Sequence, residues 1–538
     1  MKFRYLIRIV VIACIVLLCA GFGVYSYWRL SAADRGKDFN LYALVPQDAI
    51  AVLETDRMAN LVEEVNQLAC SKDNHFLYIS ELFVYLKKYL YLLVDDTPHG
   101  LSKQMNKMLI SFHEPDNPVN QVLYCSLGEG DAALVENFMR KYCSNVFPSK
   151  EQEYKGEKIL LYAMADGRTL AVYFTPEFLV ASFQSRLVEQ VIDAYQSKSS
   201  LMELASFKRM YASDPMNVSA TIYMRMRSIE MGKKADELHS EARLGSWAEF
   251  DLQLNEDAIY CSGVSYGSDT TRTFMNALKQ QQPVEGFFGE QLPMTTFFYT
   301  CWALSDRQAM FDFTSHMAYS QAVYSENVKQ NDRRWMDYLD RCAQGHVLSC
   351  LFYPRQADSS CFPYAVLRIP LKNRAFAEQE LKRLVENHSQ IGKQVCSVQG
   401  KEYVLYQCAN NTLLIQLTGI TQTALSTYFC LYEDALLLAP DANSLSAYMQ
   451  MMADKEVLAG SPGYEEGIGS LAPTYNYVMM VDVEEMLRQP AAYVRLIPNF
   501  FFRQSCFFRH FILSIQFTCT DGVVYPNLVL LYKGEVPY

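Results

Sequence analysis

Apolar positions along the chain recur in two periods, and the periods mark out the elements. Alternation of apolar and polar residues predicts strands over 49–55, 107–113, 121–127, 157–164 and 218–225. Two hairpins are predicted: 169–182, turning at Thr175-Pro176-Glu177, and 248–266, turning near Asn255-Glu256-Asp257. Helical spacing predicts helices over 57–70, 76–94, 131–143, 184–196 and 228–243. In 184–196, Leu187, Val188, Val191, Ile192 and Tyr195 fall on one face. Strands joined by short turns pair antiparallel, and helices between them cover one face. The fold class is therefore α+β.

The same order of elements returns later in the chain. VPQDAIAVLETD (45–56) is echoed by LPMTTFFYTCWA (292–303), and KMLISFHEP (107–115) by HVLSCLFYP (346–354). YKGEKILLY (154–162) is echoed by VQGKEYVLY (398–406), and AVYFTPEFLVAS (171–182) by TYFCLYEDALLLA (427–439). VSATIYM (218–224) returns as NYVMMVD (476–482), and LQLNEDAIYCSGVSY (252–266) as IQFTCTDGVVYPNLVLLY (515–532). A period this long is that of whole modules, not of a solenoid. Two tandem homologous modules are expected, 42–268 and 288–538, each of mainly antiparallel sheet with covering helices.

The first thirty residues follow a different pattern. Lys2, Arg4 and Arg8 precede an apolar run from Ile9 to Tyr25, and Tyr25, Tyr27 and Trp28 close it. At 1.5 Å per residue the run is about 25 Å long, enough to cross a bilayer core with help from its flanks. A transmembrane anchor is expected over 9–28, with 1–8 cytoplasmic, a tether over 29–41, and the bulk periplasmic at a bacterial inner membrane. The competing readings are a cleaved signal ending at Ser31-Ala32-Ala33 and a lipoprotein signal at Cys14. Ser31-Ala32-Ala33 lies past a polar stretch, and the apolar run before Cys14 is short, so an uncleaved anchor is preferred.

Composition narrows the classes further. The 538 residues are 50% hydrophobic and 13% aromatic, with net charge −11. Such a chain buries a core, and its acidity argues against nucleic-acid binding. Setting aside Lys2, Arg4 and Arg8 takes the charge of the exported part to −14, unlike a surface that lies on anionic lipid. Of fifteen cysteines, two lie in the anchor and no C-x-x-C occurs. Most sit in apolar strands and read as small buried hydrophobes. A few disulfides among Cys342, Cys350 and Cys361 are the alternative.

The segment LVPQDA (44–49), placed directly after an anchor, resembles a family of bacterial envelope proteins, a domain of unknown function numbered three-three-five-two. Ser111-Phe112-His113 and the stretch Tyr173–Ser182 resemble later segments of that family. The resemblance implies an N-terminal anchor and an extracytoplasmic domain. It implies no activity, substrate or catalytic residue. The second copy departs from it, with Thr295 at the place of Asp48 and Phe352 at that of His113.

Chemistry is thinly signalled. There is no G-x-S-x-G, S-x-x-K, H-E-x-x-H, G-x-x-x-x-G-K-[ST] or G-x-G-x-x-G. His113 with Glu114 and Asp116 is the weak catalytic or metal candidate, set against a strand end running into a turn. Asp48 reads as a ligand or, more simply, as a turn residue bonding local backbone. The pairs Glu63-Glu64, Asp95-Asp96, Glu465-Glu466 and Glu484-Glu485 read as solvated surface, since no calcium loop surrounds them. The aromatic run 499–511 reads as a buried element leading into the last hairpin, or as a partner patch.

No cofactor and no metal site is expected. What recurs between the modules is apolar scaffold, so a non-enzymatic binding or scaffold role is expected, with an envelope protein, a glycan or a lipid as partner. The alternatives are an envelope hydrolase with a site near His113 and a carrier of an apolar ligand.

Overall fold

The structure is a computed structural model. It describes residues 39–72, 102–114, 119–128, 131–142, 148–164, 167–211, 218–225, 247–266, 274–355, 362–386, 391–418, 425–493, 496–497, 501–502 and 505–534. The expected anchor, 9–28, and the expected helices 76–94 and 228–243 lie outside these residues. Among the described residues, no helix is long and apolar enough to cross a membrane. Two compact units emerge: residues within Met1–Val62 and Ser80–Ala205, and residues within Glu63–Ile79 and Ser206–Tyr538.

The first unit is built on β1 (Ala51–Thr55), β2 (Met108–Phe112), β3 (Gln121–Ser126), β4 (Lys150–Tyr154), β5 (Glu157–Ala163), β6 (Thr169–Phe174) and β7 (Phe178–Ser182). All pairings are antiparallel, in the order β4-β5-β6-β7-β3-β2-β1. The helix Ser185–Ser197 buries Leu187, Val188, Val191 and Ile192, four of the five predicted face positions. It stops at Lys198, which takes the left-handed conformation that ends many helices. The strand β4 is missing from the sequence prediction. Its residues, KEQEY, have no apolar alternation, because an edge strand meets water on most sides. Gln152 and Tyr154 tie it down by donating to Glu189 and Asp193 of the helix.

The second unit holds β8 (Ala220–Arg225), β9 (Trp247–Leu254), β10 (Ala258–Tyr266), β11 (Val284–Glu285), β12 (Thr296–Ala303), β13 (His346–Phe352), β14 (Tyr364–Pro370) and β15 (Ile391–Val398). It continues with β16 (Lys401–Ala409), β17 (Ser426–Tyr432), β18 (Ala435–Ala439), β19 (Thr474–Tyr475), β20 (Tyr477–Asp482), β21 (Phe511–Thr520) and β22 (Val523–Tyr532). Its antiparallel sheet runs β8-β9-β10-β22-β21-β20-β12-β13-β14-β18-β17-β16-β15. A separate pair joins β11 to β19. Strands 220–266 fall in this unit because β10 pairs with β22 along its length, from Ala258 opposite Leu531 to Ser265 opposite Val524.

The strand β12 explains the apolar run TFFYTCWA. It is buried along nearly its whole length, sending Tyr299, Cys301 and Ala303 into one apolar cluster, Trp302 into a second and Phe298 into a third. A strand covered on both faces reads as a continuous apolar run, not as an alternation. Each large side chain buried in this way contributes about 1.5–3 kcal/mol. Around Trp335 the packing is aromatic, with Phe429 at 4.5 Å and Tyr338 at 5.7 Å, both edge-on. In the aromatic run, Phe501, Phe507, Phe508 and Phe511 are all buried in the third cluster, as a buried lead-in to the last hairpin requires.

Candidate functional site

The chain VPQDA enters β1 through Asp48. The strand β2 carries Ser111 and ends just before His113, and β3 carries Tyr124 beside them. On this hairpin Leu109 faces Tyr124 and Ser111 faces Val122, so Ser111 and Tyr124 are diagonal neighbours on one face. Their hydroxyl oxygens are 3.0 Å apart. Ser111 Oγ is 2.8 Å from His113 Nε2, and His113 Nδ1 is 3.3 Å from Asp48 Oδ1. The last separation is within ion-pair reach but off the line of a straight hydrogen bond. The backbone at this position is anchored as well, because His113 N donates to Asn120 O.

A consistent proton order runs through the four groups. With Nε2 as the acceptor tautomer, Ser111 donates to it, Tyr124 donates to Ser111, and the Nδ1 proton lies on the side of Asp48. Burial pushes the Tyr124 phenol well up, which keeps its hydroxyl protonated. The order of serine, imidazole and carboxylate is that of a nucleophilic triad. Its accessibility is not. Ser111 and Tyr124 are 0% exposed and His113 is 1% exposed, while the Asp48 side chain is 57% exposed. A substrate carbonyl has to reach the nucleophile, and here the hydroxyl lies inside the sheet. Sequence reasoning found His113 and Asp48 but missed Ser111 and Tyr124. The signal was present in the S-x-H spacing, since residues two apart on a strand share a face.

The other candidates separate. Glu114 sits next to His113 in sequence but outside the polar line, and Asp116 lies outside the described residues. Among the described residues no cluster of three His, Cys, Asp or Glu side chains could hold a metal. Glu484 lies 3.4 Å from Lys533 and 3.6 Å from Arg509, and Glu485 lies 2.9 Å from Arg488. Glu465 accepts from Gly460 N at 2.9 Å. Glu64 lines a groove of 340 Å³ with Asn66, Gln67, Leu254, Asn255 and Glu256. Asp95-Asp96 lies outside the described residues.

Ten of the eleven described cysteines, Cys342 and Cys350 among them, carry free thiols, and Cys361 lies outside the described residues. Burial pushes Cys125, Cys261, Cys301, Cys430 and Cys519 up to about 12, so these thiols stay protonated and unreactive. In the C-terminal half the positions matching Asp48 and His113 carry no such polar line. Thr295 Oγ1 donates to Tyr353 O at 2.5 Å, and Phe352 is fully buried.

The molecule is thus an α+β protein of extended antiparallel sheet whose sharpest polar constellation is sealed. Residues 110–299 match the family model described as Protein of unknown function (DUF3352), the family that the sequence resembles. No curated protein matches the chain. Two solved structures are similar. One, titled "Structure of crystal form III of TP0453", is 11% identical over 46% of this chain and 90% of that chain, with TM-score 0.25. The other, "Structure of crystal form I of TP0453", is 11% identical over 43% of this chain and 81% of that chain, with TM-score 0.24.

Proposed function

We propose that this chain is a non-enzymatic binding or scaffold protein of the bacterial envelope, held in the inner membrane by residues 9–28 with its bulk in the periplasm. The observation that carries the non-enzymatic part is the burial of Ser111, His113 and Tyr124. Their bonds fasten the Val45–Ala49 segment to β2 and β3, which is a structural task. Crosslinking in intact cells, followed by identification of adducts, tests the reading. Protein, glycan or lipid adducts that persist in Ser111→Ala support it. An absence of adducts, together with a hydrolytic turnover lost in His113→Ala, overturns it.

The finer architecture we propose is one module written twice. The order β4-β5-β6-β7-β3-β2-β1 is repeated by β15-β16-β17-β18-β14-β13-β12, and β8-β9-β10 by β20-β21-β22. Local details support the same reading. Pro46 bridges to Ser200 and Pro293 to Val457. Leu201 N donates to Val45 O and Leu458 N to Leu292 O, both at 2.8 Å. The turns Lys155-Gly156 and Gln399-Gly400 both place two successive residues at positive φ.

An envelope hydrolase is the second reading, favoured by the 2.8 Å and 3.3 Å separations from serine to imidazole to carboxylate. It requires β2 to open, and it stands or falls on whether Ser111 reacts.

A further inference from the structure

The edge strands β4 and β15 are of opposite character. At β4 the edge reads Lys150-Glu151-Gln152-Glu153-Tyr154. At β15 it reads Ile391-Gly392-Lys393-Gln394-Val395-Cys396-Ser397-Val398, with a single charge and no proline. Among the described residues β15 pairs with β16 alone, and its outer side makes no backbone hydrogen bond. Gly392, Lys393, Gln394, Val395 and Ser397 are exposed. An unguarded strand edge presents free N–H and C=O groups to another strand.

We propose that β15 is an interaction surface for a second copy of this chain, which pairs through its own β15 in antiparallel fashion about a two-fold axis at Val395. In that register Lys393 faces Ser397 of the second copy and Gln394 faces Cys396, so no like charges meet. Val395 is 59% exposed and its neighbour across the hairpin, Val404, is 41% exposed. The axis brings these valines and their copies into one apolar strip on the face opposite Cys396, whose thiol turns to Ser446 of the helix Ala442–Ala453. The same operation at β4 about Gln152 sets Glu151 against Glu153 twice, a repulsive arrangement. The charge pattern therefore selects β15 and excludes β4. Antiparallel joining of strand edges already occurs within the chain, at β10 and β22.

Two differently tagged full-length copies, co-expressed in cells and extracted in mild detergent, test this. Wild-type copies co-purify. Val395→Lys sets two ammonium groups against each other at the axis and lowers co-purification about tenfold or more. Glu151→Lys at the other edge leaves it unchanged. A short bismaleimide links Lys393→Cys in one copy to Ser397→Cys in the other, giving an adduct of twice the chain mass that is absent when both copies carry Lys393→Cys. Failure of wild-type copies to co-purify overturns the proposal. So does co-purification indifferent to Val395→Lys, or a Val395-dependent adduct with a different protein.

Discussion

Ser111 Oγ lies 2.8 Å from His113 Nε2, and neither residue is exposed beyond 1%. A hydrogen bond so placed works on stability, because removing either partner strands the other away from water. His113→Ala leaves both a cavity and an orphaned hydroxyl, and is expected to cost about 2–4 kcal/mol in chemical denaturation. Asp48, with its side chain 57% exposed, holds the outer end in high dielectric, so Asp48→Ala costs only about 0–1 kcal/mol. Tyr124→Phe falls between them, near 1 kcal/mol. Equal costs for His113→Ala and Asp48→Ala would show that the line does not work from its buried end.

A second buried polar centre sets a pH-dependent prediction. Asp332 is 1% exposed and accepts from Thr412 N and Oγ1 at 2.7 Å, Tyr319 at 2.9 Å and Gln416 at 3.2 Å. Burial outweighs these donors and holds its carboxyl above the ordinary 3.8. A carboxyl raised on folding favours the protonated form, so its contribution to stability weakens as pH rises past 3.8. Asp332→Ala strands four donors and costs about 3 kcal/mol or more. Asp332→Asn is milder, and its cost is smaller at pH 7 than at pH 4. Denaturation midpoints at the two values decide the point. An Asn cost that grows with pH would reverse the assigned cause.

His346 gives the opposite slope. It stacks on Phe288 at 4.1 Å, and burial, aided by Arg368, lowers it from 6.5 to about 4. A histidine depressed on folding must stay neutral, so its stabilising share is complete above pH 6.5 and is lost as pH falls toward 4. In His346→Gln that share of the slope disappears. Thermal unfolding of both forms at pH 7, 5.5 and 4 should therefore converge as pH falls. Parallel curves would contradict the assignment.

Matched turns give a paired test. Gly156 and Gly400 have φ of +84° and +78°, with open space around a Cβ at both. Alanine at either position costs about 1 kcal/mol, from conformation alone. Near-equal losses are expected for Gly156→Ala and Gly400→Ala. A loss confined to one would count against the proposed duplication.

Much of this fold is legible in the sequence because amphipathic elements write their period directly. Nine strands of the N-terminal half, β1–β3 and β5–β10, and the helices Asp131–Tyr142 and Ser185–Ser197 fall within three residues of their predicted bounds. What escapes is β4, a charged edge strand with no apolar period. The pairing of β10 with β22 escapes too, because partner choice at a strand's outer edge leaves no local signal. At the site, His113 stands out as a polar residue at a strand end. Ser111 and Tyr124 do not, because a hydroxyl in an apolar strand reads the same whether it is bonded or merely tolerated.

The measurement that reaches the central claim most directly is labelling of the folded full-length chain with a fluorophosphonate, which reacts only with an accessible, activated serine. The account predicts no adduct at Ser111, and a profile identical to that of Ser111→Ala. Stoichiometric labelling of Ser111 that vanishes in His113→Ala would contradict it and establish the hydrolase reading instead.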